Sequence, residues 1–103
     1  VSSSVSSDGR TVTIHIKGRF TFLMHREFRD AYHSHTGVNT QFVVDLSMTD
    51  YMDSSALGML LLLREHAGGD KATVVISRPN AAMTKILTIA NFHKLFKIEA
   101  KAA

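Results

Sequence analysis

Residues 41–69 read QFVVDLSMTDYMDSSALGMLLLLREHAGG. The first seven, QFVVDLS, are rich in β-formers and nearly apolar on both faces, the pattern of a central parallel strand. After an intervening loop a helix begins at about Ser54 and runs to Ala67, where Gly68-Gly69 closes it. Between strand and helix stand Asp53-Ser54-Ser55, three polar residues at the mouth of the apolar run from Ala56 to Leu63. A strand that feeds a helix of this length is half of a parallel crossover unit.

The chain on either side completes the unit. Upstream, Asp8-Gly9 leads into Val12, Ile14 and Ile16, which alternate with Thr11, Thr13, His15 and Lys17. A turn dipeptide followed by a period of two predicts a hairpin whose second strand buries one face, with SSSVS as its edge strand. From Leu23 the period lengthens. Met24, Phe28 and Tyr32, with Ala31 beside them, make an amphipathic helix with Thr21 as its cap and Gly37 at its left-handed end. Downstream, ATVVIS is a strand and Pro79-Asn80 a break. Met83, Ile86, Leu87 and Ala90 then mark a helix that Asn91 ends, and KLFKIE is the last strand. The predicted fold is α/β: a single compact domain over residues 1–103 in the order β-β-α-β-α-β-α-β, a mixed sheet with helices packed on it.

Composition narrows the function. With 103 residues, 45% of them hydrophobic and 20% charged, the chain has room for one core. It has no cysteine, which removes disulfides, thiolate catalysis and cysteine-built zinc sites. A net charge of +3 and a pI near 9.5 come from basic residues interleaved with acids, as in HREFRD. That is a solvated mixed surface and not a nucleic-acid footprint. The apolar run is far shorter than the ~20 residues of a spanning helix, and no signal-like segment opens the chain. The expectation is a cytoplasmic protein with no membrane and no nucleic-acid partner.

Catalytic constellations find little support. A hydrolase elbow needs G-x-S-x-G, whereas the sequence around Ser54 is M-D-S-S-A. The six histidines are scattered, and none stands in a recognisable relation to the serines. His33-x-His35, with Asp30 upstream, offers two metal ligands and no patterned third. SRPNAAM follows a strand and opens a helix, but it lacks the glycines and the lysine-serine pair of a phosphate loop. No enzyme activity, metal or cofactor is expected.

Asp53-Ser54-Ser55 remains. Any of the three suits an N-cap. A helix start also offers free amides and a positive dipole end, so a phosphate added there need not unfold the domain. Such a group brings about −1.5 to −2 charges in one step. The helix has apolar residues to spare: Leu57, Leu60, Leu61 and Arg64 form one stripe, while Met59, Leu62 and Leu63 fill other faces. With Met48, Tyr51 and Met52 in the preceding loop, any of this surplus left uncovered makes a docking surface beside the serines. On the residues alone, cap and regulatory site both stay open.

VVDLSMTDYMDSSALGMLLLLREHA and VVISRPNAAMTKILTIANFHKLFKIE together resemble the STAS domain family, the anti-sigma factor antagonists of bacteria. The likeness lies in the strand ending D-L-S, the Y-M-D-S-S-x-L-G helix start and the L-x-x-x-N-[FL]-x-x-L-F-x-I tail. It implies a non-enzymatic switch in which Ser54 is phosphorylated by a partner that is both anti-sigma factor and serine kinase, and dephosphorylated by a serine phosphatase. Unmodified protein binds the partner; phosphorylated protein releases it. Asp53 and Ser55 flank the acceptor. Met48, Tyr51, Met52, Asp53, Ser54, Ser55, Leu57 and Met59 form the implied partner surface. The alternatives are the same switch acting on a non-sigma partner, in surface attachment, biofilm or motility control, and a small-ligand or nucleotide-binding module. Two positions depart from the family pattern: Ala56 stands where glycine is usual, and Thr21 where an acid is usual.

Overall fold

Three strands set a single buried face by simple alternation. Val12, Ile14 and Ile16, then Phe42, Val44 and Leu46, then Val74 and Ile76 are each no more than 1% exposed, as a period-two pattern against one core requires. The computed structural model describes residues 1–35 and 40–99. Its strands are β1 (Ser2–Val5), β2 (Thr11–Phe20), β3 (Gln41–Met52), β4 (Val74–Ser77) and β5 (Lys97–Glu99). Its helices are α1 (His25–His33), α2 (Ser54–Ala67) and α3 (Ala81–Ile89), with short 3-10 turns between elements. The sheet runs β1-β2-β3-β4-β5, with β1 antiparallel to β2 and the other pairs parallel. This is the mixed α/β order that the sequence predicts.

Each parallel crossover steps to the next strand in the same direction, so right-handed connections put all three helices on one face. There Phe28 and Tyr32 of α1, Leu60 and Leu63 of α2, and Met83 and Leu87 of α3 share one core with the sheet. Val43, Asp45 and Ser47 lie on the other face and are only partly buried. QFVVDLS is therefore not apolar on both sides, because the helices cover one face alone.

β3 is also longer than the sequence suggests, and its register explains why. His15 pairs with Asp45 and Lys17 with Met48, so β3 carries one extra residue there; Gly18 pairs with Thr49 and Arg19 with Tyr51, so Asp50 is a second. Each bulge flips the inward parity of the strand. The first turns Met48 outward and Thr49 inward; the second returns Met52 to the core. Thr49 then donates its hydroxyl to the Ile16 carbonyl at 2.6 Å, which satisfies a buried acceptor at the first bulge. Met48, Tyr51 and Met52 thus belong to a strand and not to a loop.

Helix ends follow local chemistry. Asn80 accepts the Met83 amide to start α3, and Asn91 takes a left-handed φ of 62° beyond it, as expected. Gly68, at φ 124°, closes α2. Thr21 is not the cap of α1: a 3-10 turn, Phe22–Met24, intervenes, and the Thr21 side chain makes no capping bond. Gly37, the predicted end of that helix, lies outside the described residues. The buried stripe of α2 is Ala56, Met59, Leu60 and Leu63. It is rotated from the Leu57, Leu60, Leu61, Arg64 stripe read from sequence because α2 packs against α1 as well as against the sheet.

Candidate functional site

The end of β3 positions the serines. Met52 pairs with Phe20, and the Asp53 amide still donates to the Phe20 carbonyl at 3.3 Å. Asp53 then holds extended backbone, and its Oδ1 accepts the Ala56 amide at 3.1 Å. One carboxylate thereby supplies the N-cap. Ser54 and Ser55 fall in the first turn, and neither hydroxyl makes a hydrogen bond among the described residues. Ser54 is exposed and Ser55 half-buried. Ala56 is fully buried in the core, so its methyl points to the opposite side of the turn from Ser54 and takes no space beside that hydroxyl.

Beside Asp53 opens a cleft of about 570 Å³, with Lys17, Arg19, Thr21, Phe22 and Leu23 among its walls. Lys17 and Arg19 have no carboxylate within ion-pair distance among the described residues. The Arg19 guanidinium lies 4.5 Å from the centroid of the Tyr51 ring, a cation–π contact across the end of the β2–β3 ladder.

Exposure sorts the partner residues named above. Met48 at 64% and Tyr51 at 45% are available, and Leu57 is half-buried. Met52 and Met59 are corrections. Both are core residues, at 4% and 6% exposure. Met52 is turned inward by the second bulge, and Met59 only floors an apolar groove of about 110 Å³ between α1 and α2. Phe22 at 58% and Leu23 at 93% exposure, missed from sequence, are exposed instead, together with Leu62 of the expected surplus at 64%. Phe22-Leu23 was legible as an apolar pair that no helical stripe uses.

The histidines also need one correction. His15 does stand in relation to a serine: its Nε2 is 3.2 Å from the Ser4 hydroxyl, and its Nδ1 is 2.9 Å from Asp45 Oδ2. Sequence spacing hides this line because it crosses three strands. It runs over the open sheet face from the exposed edge strand β1, and ties that edge to β3. Partial burial alone would raise the Asp45 carboxyl, but the Ser47 amide and His15 outweigh it and hold that carboxyl below its ordinary value. His66 sits at the core boundary, its Nε2 2.8 Å from the His35 carbonyl and its ring against Tyr32 and Phe42. Among the described residues no three His, Cys, Asp or Glu side chains gather to hold a metal, and no helix is long and apolar enough to cross a membrane.

A family model described as "Mlab, STAS domain" matches residues 3–98. The chain is 52% identical over 93 residues to the STAS-domain containing protein PA14_20770 of Pseudomonas aeruginosa (strain UCBPP-PA14), covering 90% of this chain and 92% of that one. It superposes on a candidate anti-sigma factor antagonist from Thermotoga maritima with a TM-score of 0.80 at 17% identity, over 96% of this chain and 85% of that one. The anti-sigma factor antagonist SpoIIAA in its unphosphorylated form matches with a TM-score of 0.70 at 17% identity, over 97% and 87% of the two chains. At such identities these two likenesses speak for the fold alone.

Proposed function

The chain belongs to the STAS domain family, and from that membership and the setting of Ser54 we propose that it is a phosphorylation-switched anti-sigma factor antagonist. The observation that carries this reading is the division of labour at the start of α2. Asp53 caps the helix, and Ser54 is exposed with its hydroxyl unused among the described residues. A phosphate on Ser54 sits at the positive end of α2, which tolerates it, and places about −1.5 to −2 charges next to Asp53, whose cleft Phe22 and Leu23 line. An apolar docking surface is abolished by charge at its edge through repulsion and lost desolvation energy. Unmodified protein binds its anti-sigma factor, a serine kinase that writes the phosphate; modified protein releases it until a phosphatase restores the hydroxyl. The chain acts by binding and not by catalysis, in the cytoplasm where its kinase finds ATP.

Tagged Ser54→Ala and Ser54→Asp chains, expressed in the native cells and purified with their bound proteins, test this. A partner retained by the alanine form and depleted at least roughly tenfold from the aspartate form, a difference of about 1.4 kcal/mol, is the expected result. Identical bound proteins at equal abundance would overturn the reading.

A further inference from the structure

Asp53, the residue before Ser54, lines a cleft that also holds two cations with no carboxylate partner among the described residues. Lys17 and Arg19 line the same cleft as Asp53, and the Asp53 amide is bonded to the residue that follows Arg19. Among the described residues Arg19 has only the Tyr51 ring as a partner, at 4.5 Å. An exposed cation–π contact is weaker than a charge-assisted, two-pronged bond from a guanidinium to a phosphate. The Asp53 carboxylate in the same cleft accepts the Ala56 amide through Oδ1 and makes no ion pair with either cation within the described residues.

We propose that Arg19 is a built-in receptor for the Ser54 phosphate, and that capturing it draws the guanidinium off Tyr51. This rests on Ser54 being the modified residue. β3 runs on past the Asp45–Ser77 rung, where its pairing with β4 ends, and the end of the β2–β3 ladder places Arg19, Tyr51 and the start of α2 at one end of the molecule. Lys17, two residues earlier on β2, adds positive potential to the cleft, while Glu27, also in its lining, stands 3.8 Å from the Val1 ammonium. The modification then alters the docking surface twice. It adds charge at Ser54, and it uncovers a tyrosine ring that the unmodified protein keeps under a cation. Arginine suits this role better than lysine because its planar fork both stacks on a ring and grips a phosphate.

The test needs neither kinase nor partner. Phosphoserine is installed at position 54 during synthesis of the full chain, and tyrosine-ring and arginine Nε–H NMR signals are compared with those of the unmodified protein. Tyr32 and Tyr51 are the two tyrosines, and Tyr32 in the core serves as the internal control. The expected result is a shift of the Tyr51 ring signals and of the Arg19 Nε–H signal on phosphate installation, with Tyr32 unmoved. In Arg19→Ala the phosphate leaves Tyr51 unmoved; in Arg19→Lys it moves Tyr51 less. Arg19 is exposed, so these variants keep the fold, as unchanged Tyr32 signals will verify. An Arg19 signal that ignores the phosphate, or a Tyr51 shift that persists in Arg19→Ala, would overturn the handover while leaving the switch at Ser54 intact. Absence of phosphate on Ser54 in cells would instead overturn the switch, whatever the NMR shows.

Discussion

The Asp53 carboxylate accepts the Ala56 amide at 3.1 Å, and that one bond relieves the next two residues of any capping duty. The distinction is testable by stability. Asp53→Ala is expected to lose about 1 kcal/mol in urea denaturation, the usual cost of a deleted N-cap. Ser54→Ala should stay within about 0.5 kcal/mol of the parent, as surface changes do. A reversed ranking would make Ser54 the cap and remove the surplus hydroxyl on which its regulatory reading depends.

Thr49 is buried at 5% exposure and closes the first β3 bulge through its bond to Ile16. Thr49→Val keeps the shape and strands that carbonyl, at an expected cost of about 1–3 kcal/mol. Thr49→Ser retains the donor and should lose less. Equal stability of the valine variant and the parent in urea would show that the hydroxyl does not hold the bulge.

The same bulges mark where the sequence becomes hard to read. α2 was legible almost to the residue, because a polar start, an apolar run and Gly68-Gly69 all agree on its bounds. Asn91 was legible for the same local reason: asparagine tolerates the left-handed turn it adopts at φ 62°. Thr49 to Met52, by contrast, keep no period of two, since two inserted residues flip the parity twice, and a strand so interrupted looks like a loop. The sequence therefore leaves Met52 open to a partner, whereas the second bulge puts it in the core. The rotation of the α2 stripe is not legible in the sequence because leucines occupy nearly every face, and only tertiary packing chooses Leu60 and Leu63 over Leu61 and Leu62. Family resemblance singles out Ser54 as the expected acceptor, but its exposure relative to Ser55 is visible only in the fold.

Ala56 stands where the family usually has glycine, yet its methyl is in the core. Ala56→Gly should cost about 1–2 kcal/mol, from helix propensity together with one lost buried methyl. Mapped phosphate occupancy at Ser54 should remain unchanged in cells. A rise in occupancy with the glycine would mean that the methyl crowds the acceptor after all.

Acid stability should depend on Asp45. Its folded carboxyl is held below the ordinary value by the Ser47 amide and His15, against the opposing effect of burial. A group depressed in the folded state contributes stability above its unfolded pKa, near ~3.9, and loses it as pH falls through the folded value. Asp45→Asn should therefore flatten the stability profile below about pH 4 while altering its slope little near neutrality. Parallel profiles for parent and variant across the acid range would remove Asp45 from the acid transition.

The most direct test of the central claim is the phosphorylation state of the protein isolated from its native cells, by intact mass and then by peptide mapping that separates Ser54 from Ser55. A population heavier by one phosphate, carried on Ser54, is the expected result. Phosphate confined to Ser55, or none under any growth condition that changes sigma-factor activity, would contradict it.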